Sequence, residues 1–371
     1  MIDARIEPIA VAPLAAEDEA AFDAWLATVD EARIYADPAF IRCLASITGG
    51  TATYLVARRD SSIAGALAFV ERTHAEYGRV VNSLPWYGSH GGCTLADAAD
   101  DEVRRALLGA YRRRALGDGL LTATMVLTHG ETRYLESYAA SLVPRETDDR
   151  IGQVTELPAG GPGLEARLEA TMLQKTRNLV RKSLRQGFRE IVTDEEWAWR
   201  FLHDTHVENM RAVGGRPKPW QHFAVFRDGL PENQRRLSIA LLDDLPVAAL
   251  LLFRFNRTVE YITPVCVAQY RPLQPLSFLI WHGWLGAVET GARWWNWGGT
   301  WRSQHTLHHF KAGWGAQDEP YAYLICAADD AVDRLRQASE EIWRQFEFFY
   351  LYPFDRLSCA ETAPSASSIG G

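Results

Sequence analysis

The sequence predicts an α/β protein with a mixed sheet, built as two related halves. Two observations carry this. A succession of three short β patterns, a helical pattern and a further β pattern occurs twice, about 180 residues apart. The length of 371 residues also exceeds what one small core needs. Duplication of an α/β unit is the simplest source of such an order, and it places ligand sites in a cleft between the halves.

In the first half, 54–59 reads as a strand, Asp60-Ser61-Ser62 as a turn and 63–72 as a second strand. A third strand covers 78–84 and stops at Pro85. A helix over 98–116 closes at Gly117-Asp118-Gly119, and 120–127 is β-like again. The second half repeats the series with strands at 237–242 and 247–255, joined by the turn Asp243-Asp244-Leu245-Pro246. Asn256-Arg257 turns into a strand over 258–265, and a helix over 276–289 leads to a strand at 293–297. The expected units are 1–155 and 156–355, with 356–371 as a disordered tail.

Composition narrows the class. With 47% hydrophobic and 23% charged residues, the composition is that of a globular protein, which excludes wholesale disorder. A net charge of −8 argues against a protein that coats nucleic acid, so DNA is not an expected partner. Five scattered cysteines without a CxxC fit reduced thiols, and no basic-then-apolar leader opens the chain, so a cytoplasmic location is expected. No apolar run is long enough for a membrane span.

Three stretches carry chemistry. In LEATMLQKTRNLVRKSLRQGFRE, the residues Lys175, Arg177, Arg181, Lys182 and Arg185 are uncompensated between Thr171 and Arg189. Leu173, Val180 and Leu184 share the opposite helical face, and such a cationic helix suits phosphates. In RWWNWGGTWRSQHTLHHFKAGWGA, tryptophans crowd the glycines Gly298 and Gly299. His305, His308 and His309 lack a third metal-ligand signature, so no metal is expected and His308 or His309 is a candidate proton acceptor. Lys311, between Phe310 and Trp314, is a candidate cation beside a developing oxyanion. In SLPWYGSHGGC, the pair Gly91-Gly92 could form an anion-binding nest.

These segments together resemble the Fem-type branch of the GNAT acyltransferase superfamily. KTRNLVRKSLRQGF is similar to the basic helix that opens the family's second GNAT unit. The helix before WWNWGG resembles the family's helix-to-strand step, and LHHFKAGWGA its F-K-x-G stretch, with Phe310, Lys311 and Gly313 matching. NSLPWYGSHGG looks like the Ser-Leu-Pro-aromatic…Gly-Gly loop. The resemblance implies two tandem GNAT-like domains and transfer of an acyl or aminoacyl group to an amine on a cell-envelope or polysaccharide precursor, or on a nucleotide-linked amino sugar. Lys311 inherits a place near the reacting carbonyl. Asn296, Trp297, Gly298, Gly299, Phe310, Trp314, Tyr87 and His90 become the expected substrate wall.

The donor stays open between acyl-CoA and aminoacyl-tRNA, with no tightly bound cofactor. YRPLQPL departs from the family's glycine-rich coenzyme A loop, and no long helical arm for tRNA is present. A non-catalytic carbohydrate- or nucleotide-binding protein and a tRNA-binding protein are the alternatives on the same fold.

Overall fold

The computed structural model describes residues 9–85, 90–300 and 304–357. Its strands are β1 Ala10–Pro13, β2 Thr51–Arg59, β3 Ser62–His74, β4 Gly78–Asn82, β5 Thr94–Leu95, β6 Leu120–Val126 and β7 Glu146–Glu156. The second half contributes β8 Arg189–Val192, β9 Arg235–Leu242, β10 Leu245–Phe255, β11 Thr258–Cys266, β12 Trp294–Thr300 and β13 Gln317–Cys326. The duplicated order is therefore present, and the hairpin turns have their expected chemistry. Asp60 and Ser61, like Asp243 and Asp244, adopt positive φ, the conformation that lets a two-residue turn follow strand twist.

All strands join one mixed sheet in the order β1-β2-β3-β4-β6-β13-β7-β12-β11-β10-β9-β8, with β5 on β3. The halves exchange their last strands. β7 of the first half lies between β13 and β12, and β13 of the second lies between β6 and β7. Periodicity did not reveal these two strands, because their pairing is decided by a partner about 170 residues away (Gln317 opposite Val154, for example).

Alternation along β10 separates the faces. Ala249, Leu251 and Phe253 point into one core with the helices Pro38–Thr48, Glu196–Ala212, Trp220–Gly229 and Asp329–Gln345. Ala248, Leu250 and Leu252 point into the other, under Pro275–Glu289. Helix Asp101–Ala115 covers the corresponding face of the first half. Each half has one parallel pair, β4–β6 and β11–β12, joined by its helix.

The basic helix spans Gln174–Ser183. Its buried side differs from the expected Leu173-Val180-Leu184 face. Thr176, Val180 and Ser183 are buried, whereas Leu173 and Leu184 flank the helix and are 53% and 45% exposed. The reason is close packing against Gly313, where an added Cβ would come within 2.5 Å of Thr176 Oγ1.

Candidate active site

The parallel pair of the second half comes apart partway along. β11 and β12 are in register only from Thr258–Trp294 to Glu260–Asn296. Beyond this rung β11 continues on β10, while β12 bulges between Asn296 and Gly299 and follows β7. The result is a fork inside the sheet. Backbone groups facing such a gap can bind an extended ligand as a neighbouring strand would.

Glu260 and Asn296 sit at its crotch, both buried. Asn296 Nδ2 donates to Glu260 Oε2 at 2.7 Å, and Tyr35 Oη donates to the same oxygen at 2.9 Å. Glu260 Oε1 is buried and has no hydrogen-bond partner among the described residues. Burial pushes the Glu260 carboxyl up to about 7, against the opposing pull of the Arg33 guanidinium and of the two hydrogen bonds. An acid poised near neutrality in this position suits proton transfer. Tyr35 stacks on His90 with ring centroids 5.4 Å apart. Burial, then the charge of Arg33, hold His90 well below the usual imidazole range, so it is neutral.

At the closed end of the pair, around the Thr258–Trp294 rung, a cavity opens between the halves. Arg33, His90, His129, Arg257, Trp294 and Glu319 line it. Arg33 reaches Glu319 at 3.3 Å, and Arg257 faces Asp30 at 3.5 Å. Acids and arginines thus alternate around one polar chamber.

Lys311 differs from the expected cleft-lining cation. It is 3% exposed, and Nζ donates to Gly298 O at 3.1 Å, Gly299 O at 3.0 Å and Thr300 Oγ1 at 2.7 Å. All three ammonium hydrogens are engaged, so in this state Lys311 buttresses the β12 bulge and offers no donor to a substrate carbonyl. Burial lowers it to about 8. Gly298 supplies the left-handed φ of +73° that the bulge needs. At Gly299 an added Cβ would meet Tyr321 Oη at 2.6 Å.

The tryptophans are corrected as well. Trp295, Trp297 and Trp314 are at most 3% exposed and pack in the core beneath Pro275–Glu289. Trp297 Nε1 donates to Thr155 Oγ1, which orients it inward. Among the described tryptophans, only the half-buried Trp294 lines the cavity. Phe310 is 40% exposed and meets Trp297 edge-on. Tyr87 lies outside the described residues.

His305 and His309 are exposed on helix His305–Gly313, and His308 Nε2 contacts Asp318 at 2.9 Å. None of the three contacts Glu260 or Asn296 at the crotch. In the Gly91-Gly92 loop, Gly91 N–H donates to Val126 O, and two residues on Cys93 N–H donates to Tyr138 Oη. These glycines serve close approach, since a Cβ on Gly91 would lie 2.7 Å from Leu84 Cβ. Glu131 anchors this loop by receiving Arg104 and Tyr138.

The basic helix is only partly uncompensated. Arg181 pairs with Glu169, which lies just before the acid-free stretch, and Lys182 Nζ donates to Pro272 O at 2.8 Å. Lys175 and Arg185 remain exposed, with Arg177 half-buried. Lys182 brings this surface to the loop that opens helix Pro275–Glu289.

Of the residues singled out in the sequence, Asn296, Gly298, Gly299 and His90 lie at or beside the fork, where the fold also brings Glu260, Tyr35 and Arg33, which the sequence did not single out. For Glu260 there was a signal, a lone acid inside the apolar strand TVEYITPV. For Tyr35 and Arg33 there was none, because only tertiary folding brings residues so distant to the fork.

Comparison with known proteins agrees with this geometry. The family model described as an acetyltransferase (GNAT) domain matches residues 172–318, the segment that contains the fork. The fold is similar to that of FemX, at 12% identity and TM-score 0.71 over 88% of this chain and 99% of that one. It is also similar to the C-terminal domain of a putative lysylphosphatidylglycerol synthetase from Agrobacterium fabrum (15%, TM-score 0.56, 87% and 96% covered). A tandem GNAT protein from the clavulanic acid biosynthesis pathway matches at 13% and TM-score 0.51, with 86% and 98% covered. No curated protein matches the chain significantly in sequence. Residues 172–318 thus match an acetyltransferase (GNAT) domain model, in a chain whose fold is shared with FemX and with a tandem GNAT protein.

Proposed function

We propose that the protein moves an activated acyl or aminoacyl group onto an amine at the β11–β12 fork, with Glu260 taking the proton that the amine loses. The observation that carries this is the unfilled Glu260 Oε1, buried at the crotch on a carboxyl raised to about 7. The attacking nitrogen forms its bond to the acyl carbon, the donor's oxygen or sulfur leaves, and the proton passes to the carboxylate. Asn296 and Tyr35 hold that carboxylate by its other oxygen, which leaves Oε1 to the substrate.

The acceptor enters through the inter-half cavity. Asp30, Glu31 and Glu319 suit a cationic amine, while Arg33, Arg257 and Arg293 suit an anionic group on the same molecule. An amine on a phosphate-bearing envelope precursor or a nucleotide-linked amino sugar has both. The donor, acyl-CoA or aminoacyl-tRNA, carries its phosphates to Lys182 and Arg185 beside the Pro275 helix start. The parting of β11 and β12 beyond Glu260–Asn296, the mixed charges of the chamber and the acetyltransferase match over 172–318 support this reading.

The test is transfer from acetyl-CoA or charged tRNA to a panel of UDP-amino sugars and amino-acid-bearing precursors. Glu260→Gln keeps both hydrogen bonds on its carbonyl oxygen and removes the base. It should bind donor normally and transfer about 10²–10⁴ times more slowly. Transfer at the wild-type rate by Glu260→Gln would remove the residue from the chemistry.

A further inference from the structure

The chain contains 4 lysines and 35 arginines. All four lysines fall within 172–318, the acetyltransferase match. Two are exposed on the basic helix. The other two flank the fork, one on each branch. Lys311 braces β12, as described above, and Lys218 lies against β11, where Nζ donates to Thr263 Oγ1 at 3.1 Å. Thr263 is buried and stands beyond Glu260 on the stretch where β11 has no β12 partner; a bulge in β11 leaves it opposite Leu251, two residues from the Phe253 that faces Glu260, so it lies about 7 Å along the sheet on the same face.

The loop that presents Lys218 is held in place. It links helices Glu196–Ala212 and Trp220–Gly229, turns at Gly214 with φ +68°, and places Lys218 between Pro217 and Pro219. Lys218 N–H donates to His206 Nε2 at 3.0 Å, and Gly215 N–H to Met210 O at 2.8 Å. A guanidinium stays charged in every environment, whereas a lysine taken out of water can be a neutral amine. In a chain that uses arginine almost everywhere, lysine at this place supplies an amine.

We propose that Lys218 is a self-acylation site, modified by the activated acyl group held in the fork when no acceptor amine is present. This rests on the reading that the fork holds the donor's acyl carbon. Neutral Lys218 Nζ attacks that carbonyl, the N–C bond forms, and the C–S bond of a thioester (or C–O bond of an aminoacyl ester) breaks. The thiol or hydroxyl leaves with the lysine's proton, and a stable amide remains. Burial lowers Lys218 to about 8, so a large share is unprotonated at mildly basic pH. The neighbouring His206 and His222 are neutral there, each held down to about 4, and contribute no competing charge. Lys311, with its three hydrogens on oxygen acceptors, is the built-in control.

The experiment uses the full chain at pH 8 with acetyl-CoA and, in parallel, mixed aminoacyl-tRNA, without acceptor. Intact mass should rise by one acyl group, and peptide mapping should place it on Lys218 and not on Lys311. Lys218→Arg should show no adduct. Equilibrium binding of acetyl-CoA and of the charged tRNA is measured on the same sample, and a third arm uses N-hydroxysuccinimidyl acetate, which needs no binding site. Bound donor with unmodified Lys218 would overturn the self-acylation and leave the fork reading standing. If neither donor binds and neither acylates, while the small reagent still labels Lys218, the fork reading fails and takes the proposal with it. Equal labelling of Lys175, Lys182 and Lys218 by a donor would mark chemistry in solution and also overturn it.

Discussion

Asn296 and Glu260 form the last rung before β11 and β12 part, and their side chains are joined at 2.7 Å. This hydrogen bond stabilises the charged carboxylate and so holds the Glu260 pKa down against burial. Asn296→Ala should move the acidic limb of the kcat/KM profile above its position near 7, with donor binding little changed. A profile that stays in place while the rate falls would show that Asn296 does no more than shape the strand.

Glu260 also ties stability to pH. Its folded pKa of about 7 lies above the ordinary 4.5, so the folded state holds the proton more tightly. Its contribution is full below about 4.5 and is lost as pH rises through about 7. Denaturant melts of wild type and Glu260→Gln across this range should show a loss in the wild type that the variant lacks. Parallel curves would mean that the carboxyl titrates normally.

His206 acts in the opposite direction. Burial first, then the Lys218 charge, lower it from 6.5 to about 4. Its contribution is present above 6.5 and is lost as pH falls towards 4, where protonated Nε2 can no longer accept the Lys218 N–H. His206→Gln should flatten this acid-side loss, with His222 responsible for what persists. Melting temperatures measured from pH 7 to 4 decide it.

Lys311→Ala should destabilise the fold by about 2–4 kcal/mol, because it leaves the Gly298 and Gly299 carbonyls and Thr300 without their charged donor. Activity should fall together with the order of the bulge. An alanine variant with wild-type melting and a large loss in kcat alone would return Lys311 to direct catalysis.

On the basic helix, Arg185→Ala should weaken donor binding and flatten its salt dependence, whereas Arg181→Ala should change binding little, since Glu169 already neutralises Arg181. A salt titration of donor affinity separates the two. Equal losses would show that the ion pair opens to receive phosphate.

The sequence by itself determined the repeat, the strands and helix of each of its two passes, the basic helix and the hairpin turns, because these depend on period-2 and period-3.6 patterning and on local φ preferences at residues such as Asp60 and Asp243. It also marked Asn296 and Gly298 through a resemblance carried by contiguous residues. Tertiary structure alone decided the rest. The exchange of β7 and β13 depends on strand partners far apart in the chain. Whether a tryptophan lines a cleft or fills a core depends on which face of β12 it occupies, and the bulge at Gly298 shifts that register. Lys311 has the same composition around it either way, and only the three oxygens converging on Nζ make it a brace. Glu260 reads as an isolated acid in a strand until Tyr35, from the other half, and Asn296, from the next strand, close on the same oxygen and leave its neighbour unfilled.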